Sequence, residues 1–168
     1  MIGPRKVTGR WRGVYSYDAT ERIPGLRPVP FMLILDQGWL GRFTGTVVDD
    51  ADLGMPGTGA ISGRVSYPHI EFTKQMPVAY VRTLDGRKIT LREYVIEHEH
   101  PCEHDVPAKP VLYRGEFSDA EHVDGTWIIP AGPIPLPGGR AMRGAESTGK
   151  WTLEKAAWPP AVDDPDSR

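Results

Sequence analysis

Gly9-Arg10-Trp11-Arg12-Gly13-Val14-Tyr15-Ser16-Tyr17-Asp18 alternates between two kinds of residue. Trp11, Gly13, Tyr15 and Tyr17 fall on one side of an extended chain, and Arg10, Arg12, Ser16 and Asp18 fall on the other, with Val14 the single apolar residue among them. A period of two with one aromatic face and one charged face predicts a β-strand that covers a core.

The same design recurs along the chain. Gly41-Arg42-Phe43-Thr44-Gly45-Thr46-Val47-Val48-Asp49 sets Phe43, Gly45 and Val47 against Arg42, Thr44 and Thr46, and Gly59 to Ser66 repeats it around Ile61 and Val65. His69 to Lys74 puts Ile70, Phe72 and Lys74 on one face; Val111 to Phe117, Val123 to Ile129 and Thr148 to Glu154 complete the series, while Phe31 to Leu35, apolar on both faces, reads as a strand because it is short and flanked by Pro30 and Gly38. Eight strands at hairpin-like spacing, six with a glycine two positions from a bulky residue, predict an all-β fold: an eight-stranded antiparallel up-and-down barrel. Glycines on the concave side let the sheet coil while large rings fill the space beside them.

Gly9-x-Trp11, Gly41-Arg42-Phe43-Thr44-Gly45-Thr46 and Gly149-Lys150-Trp151 resemble calycin-type barrels, the group that includes lipocalins, fatty-acid-binding proteins and avidins. The resemblance covers residues 9 to 155 and implies a barrel with a small-molecule site. It does not extend to biotin, because the later interior tryptophans of avidins have no matching motif.

In an up-and-down order, alternate connections gather at one end. The links 19 to 29, 50 to 57, 76 to 110 and 130 to 147 form an elaborate mouth, and 36 to 41, 67 to 68 and 119 to 121 a tight base. Trp11, Phe43, Phe117 and Leu153 are expected as packed core near the base. Toward the mouth the inward alternation places Tyr17, Asp49, Lys74 and Tyr113, with Tyr15 one layer deeper. Burying such groups without partners costs roughly 2 to 7 kcal/mol each, so they pair internally, reach water or anchor a ligand. A Lys74 to Asp49 ion pair is one solution, and these five residues are the expected ligand-binding set. The interior glycines either leave a cavity or accommodate aromatic neighbours.

The insertion 76 to 110, between the fifth and sixth strands, is the expected lid. Asp85-Gly86 suggests an extra hairpin, whereas Thr90-x-x-Glu93 suggests the capping box of a short helix. Its segment 97 to 105 carries His98, His100, Cys102 and His104 in alternation, residue types that suit zinc or copper. Metal sites usually draw ligands from separate elements and Pro101 interrupts regular pairing, so no metal and no cofactor is expected. Four prolines from Pro130 to Pro137, followed by Gly138 and Gly139, are expected to exclude a regular element.

With 168 residues, 39% hydrophobic and 25% charged, the chain fits one barrel domain over residues 1 to 158, followed by an acidic, proline-containing tail, 159 to 168, expected to be disordered. A net charge of -2 predicts neither nucleic acid nor membrane as a partner, and the lone Cys102 fits a cytoplasmic protein. Hydrolase and dinucleotide motifs are missing. The reading is a small-molecule binding barrel for a partly apolar ligand; the alternatives are a barrel enzyme of isomerase or lyase type using Lys74 and Tyr113, or a protein-interaction module.

Overall fold

Strand β1 (Gly9–Tyr17) hydrogen-bonds on one side to β2 (Val29–Gln37), which continues through β3 (Arg42–Asp49), β4 (Thr58–Ser66) and β5 (His69–Gln75). The computed structural model describes residues 6–18, 26–136 and 138–157. An insertion follows β5, with the short strands β6 (Tyr80–Arg82) and β7 (Lys88–Thr90) and the helix α1 (Leu91–Glu97). The chain returns in β8 (Val111–Phe117) and β9 (His122–Ile129), leaves again for β10 (Gly132–Leu136) and β11 (Arg140–Gly144), and ends with β12 (Ser147–Ala156). β12 pairs with both β9 and β1, so eight strands close into an antiparallel barrel in up-and-down order.

Closure follows from the alternation. Trp11 and Tyr15 in β1, Phe31, Leu33 and Leu35 in β2, Phe43 and Val47 in β3, and Ile70 and Phe72 in β5 are buried, while the residues between them face outward. The interior glycines are filled positions: a Cβ on Gly115 or Gly125 would lie 2.7 Å from the Trp151 ring, and one on Gly149 would meet Trp127 at 2.5 Å. Rings occupy the space that the missing side chains release. Phe72 stacks on Tyr113 at 4.7 Å, Trp151 meets both edge-on at 5.4 and 5.6 Å, and Trp11 meets Phe117 at 6.2 Å. The barrel body is therefore a solid aromatic core, with Trp11, Phe43, Phe117 and Leu153 buried at the base.

The insertion holds both of the structures its sequence suggested. β6 and β7 form a hairpin around Asp85 and Gly86. Thr90 then caps α1, its hydroxyl accepting from the Glu93 amide at 3.1 Å while the Glu93 carboxylate accepts from the Thr90 amide at 2.7 Å.

The proline-rich stretch departs from expectation, because β10 and β11 pair over five positions there. Pro133 and Pro135 are two apart, so both nitrogens fall on one edge of the strand, and a two-stranded ribbon can leave that edge unpaired. The turn uses Gly138 and Gly139 at φ 83° and 76°, a left-handed conformation that costs glycine little. Ile134 and Leu136, together with Met142, pack against Leu91, Val95, Cys102 and Val106 of the insertion, forming a second, smaller core above the mouth. The anticipated tail, 159 to 168, and most of the first mouth link lie outside the described residues.

Candidate functional site

Four strands bring the expected residues together at the mouth end of the interior. β3 ends on Asp49, β5 carries Lys74 near its end, β1 supplies Tyr15 and Tyr17, and β8 supplies Tyr113. Asp49 and Lys74 are 4% and 3% exposed, the two charged residues among the described ones that are fully enclosed.

The Lys74 ammonium donates to Asp49 Oδ1 at 2.5 Å and Oδ2 at 2.7 Å and lies 4.7 Å from the centre of the Tyr15 ring. The Tyr15 hydroxyl donates to Asp49 Oδ2 at 3.0 Å. Asp49 thus gathers a cation and a hydroxyl while its loop folds over it: a Cβ on Gly54 would sit 2.7 Å from the Asp49 Cβ. Burial pulls the Lys74 ammonium below its ordinary range, with Asp49 opposing the shift. Desolvation first, and the Asp49 charge second or later, push the hydroxyls of Tyr15, Tyr17 and Tyr113 above theirs, so all three remain protonated at neutral pH.

Tyr113 differs from its neighbours. It is 3% exposed, feels the Asp49 carboxylate, and its hydroxyl has no hydrogen-bond partner among the described residues. Tyr17 is half-buried at the rim, its ring edge-on to Tyr15 at 5.8 Å and to Trp127 at 5.2 Å.

The insertion is tied to the loop 50 to 57 by a lysine that carries no sequence signal. Lys88 Nζ donates to the carbonyls of Ala51, Asp52 and Gly54 at 2.6, 3.0 and 2.9 Å, so the β6–β7 hairpin clasps the loop that covers Asp49. Its acceptors are backbone atoms, which leave no mark in a sequence.

The histidine segment does not assemble as its alternation suggested. His98 Nδ1 bonds the Tyr94 carbonyl at 2.8 Å, His100 Nδ1 meets Arg140 at 3.1 Å, and the Cys102 thiol turns into the small core toward the His104 carbonyl at 3.1 Å. The chain is helical at 97 and turns at 98–99, so the extended face that would align the four residues does not form. Among the described residues no group of three or more His, Cys, Asp or Glu side chains is arranged to hold a metal. None of the helices described is long and apolar enough to cross a membrane.

A groove of about 750 Å³ adjoins the cluster from outside the barrel. It crosses the outer wall of β2, β1, β12 and β9 between Met32, Val14 and Thr152, and the exposed Arg12–Glu154 pair lies along it at 3.4 Å. Open to solvent, it reaches Asp49 at one side but is lined by none of Tyr15, Tyr17, Lys74 or Tyr113. No protein-family model matches the chain, and comparison with curated proteins gives no match.

Proposed function

We propose that the protein is a calycin-type binding barrel of the cytoplasm that takes a small, partly apolar molecule at its mouth, anchored by Tyr15, Tyr17, Asp49, Lys74 and Tyr113. The Tyr113 hydroxyl carries the reading. A buried hydroxyl without a partner is costly, and phenylalanine would fill the same volume without that cost. Its position beside a buried ion pair under a covering loop fits a group held ready for a ligand oxygen.

The filled aromatic body argues against a ligand deep in the barrel. A molecule would lie above the ring layer, beneath the loop 50 to 57, and entry would release the Lys88 clasp. The isomerase or lyase alternative is less favoured, because Lys74 is engaged by both Asp49 oxygens instead of standing free as a base. The interaction-module alternative loses its main feature, since Ile134 and Leu136 of the proline-rich segment pack internally.

Native mass spectrometry after incubation with a mixed metabolite pool is expected to capture a bound species, and Tyr113→Phe to weaken it about tenfold, the equivalent of one hydrogen bond of roughly 1.4 kcal/mol. Absence of any bound species, or equal capture by the Tyr113→Phe and Lys74→Met proteins, overturns the proposal.

A further inference from the structure

The two insertions above the mouth flank a cleft of about 250 Å³, open to solvent on one side, that shares no residue with the Asp49–Lys74 cluster. Its walls are the Tyr94 ring and Val95 from α1 and Leu136 and Met142 from the β10–β11 hairpin, and its polar groups are Arg140, His100 and His98, the last with its ring 4.2 Å from that of Tyr94. Arg140 Nη1 donates to His100 Nδ1 at 3.1 Å. That bond takes the His100 Nδ1 lone pair, so the ring proton sits on Nε2. Arg140 and His100 are exposed at the rim, and Arg140 makes no ion pair with an acidic side chain among the described residues, so its guanidinium keeps donors open toward the cleft.

The backbone is bent to produce this arrangement. Glu99 follows the last turn of α1 at φ 62°, a left-handed conformation unusual for a side-chain-bearing residue. The turn brings the His100 amide back to the Val95 carbonyl at 2.9 Å and sets the imidazole opposite Arg140, a residue 40 positions away. Glycine or asparagine would make the same turn at less strain, and left-handed non-glycine residues concentrate at ligand clamps.

From this geometry we propose that the cleft is a binding site for a small organic carboxylate with an aromatic or branched aliphatic body. The guanidinium presents paired N–H donors that match a planar carboxylate, and His100 Nε2–H adds a donor beside them. The apolar walls take the remainder of the molecule, and the volume limits it to about one ring. This site is independent of the mouth reading, and either can stand without the other.

The test uses benzoate, its uncharged counterpart benzamide, and inorganic phosphate, titrated into the whole protein with methyl-labelled methionine and followed by NMR. Benzoate is expected to move the Met142 methyl saturably, with benzamide and phosphate at least about tenfold weaker. Arg140→Met should lower benzoate affinity by about tenfold or more, and His100→Ala by a few-fold, with the Met142 methyl dispersion reporting that each variant keeps its fold. Tyr113→Phe should leave benzoate binding unchanged. An unmoved Met142 methyl at millimolar benzoate, equal binding of benzamide or phosphate, full binding by both cleft variants, or loss of binding in Tyr113→Phe would each overturn the assignment.

Discussion

The two ends of the barrel interior are built on one alternation and closed by opposite means. At the base Trp11, Phe43, Phe117 and Leu153 are buried as apolar surface, and short links seal the end. At the mouth the same inward positions carry Asp49, Lys74, Tyr15 and Tyr113, and the seal is a loop held by the Lys88 ammonium. Burying apolar area is favourable at about 25 cal/mol per Å² wherever it occurs, whereas a buried ion pair recovers its desolvation cost only through good geometry. An inward face therefore does not mean an apolar face. Where charge is retained inside, the fold has accepted a cost that hydrophobic residues of similar volume would avoid.

The contrast breaks first at the ion pair. Asp49→Ala or Lys74→Ala alone is expected to cost about 3 to 5 kcal/mol by leaving one buried charge, while the double replacement Asp49→Leu with Lys74→Met should be close to neutral in stability. Urea unfolding of the three proteins decides it, and a double variant as unstable as either single one would show that the mouth cannot be rebuilt as a second base.

A smaller separation is expected between two tyrosines. Tyr15→Phe removes the hydrogen bond to Asp49 and should cost about 1.5 to 3 kcal/mol, whereas Tyr113→Phe removes a hydroxyl with no partner among the described residues and should leave stability unchanged or slightly raised. Equal destabilisation by both would mean that the Tyr113 hydroxyl is bonded in solution.

Alkaline pH bears on the buried hydroxyls and ammonium of the mouth. The folded chain holds protons on Tyr15, Tyr17 and Tyr113 above the ordinary value of 10.0, while the unfolded chain releases them there, so their contribution is complete below that pH and falls as pH rises above it. Lys74 works the other way: its lowered value penalises the fold at neutral pH, and the penalty fades as pH climbs toward the ordinary lysine value of 10.5. Three tyrosines against one lysine predict net loss of stability above about pH 10, steeper in the native protein than in Tyr15→Phe. Denaturation midpoints measured from pH 8 to about pH 11 test the sign.

The smallest expected effect is at the clasp. Lys88→Met should cost about 1 kcal/mol globally yet speed amide exchange at Gly54 and Met55, with barrel amides such as that of Val47 unchanged. Uniform acceleration would place Lys88 in the body of the fold and not in its lid.

Much of this was legible in the residues themselves. Side chains of a strand alternate with an exact period, so Trp11, Tyr15, Phe43, Phe72 and Trp151 announce their face from their neighbours alone, and Asp49 and Lys74 could be placed inside by counting. The capping box at Thr90 and Glu93 and the Asp85-Gly86 turn are equally local. The proline-rich hairpin misled because composition alone suggests a breaker; whether Pro133 and Pro135 disrupt a strand depends on which edge their nitrogens occupy. The histidine alternation has no extended chain to act on, since a helix end and a left-handed Glu99 stand in its place.

The sequence by itself determined the repeat, the barrel, the inward face and the polar character of its mouth, because each rests on interactions among residues close in the chain or on a strict period. Only the tertiary structure decided that rings fill the glycine positions, that Tyr113 lacks a partner among the described residues, that Lys88 holds the loop over Asp49, and that Arg140 faces His100 across two insertions. Those outcomes depend on distances between segments tens of residues apart and on backbone carbonyls that are chemically identical at every position. No local pattern encodes them; they exist once the opening strand has found β12 and the barrel has closed.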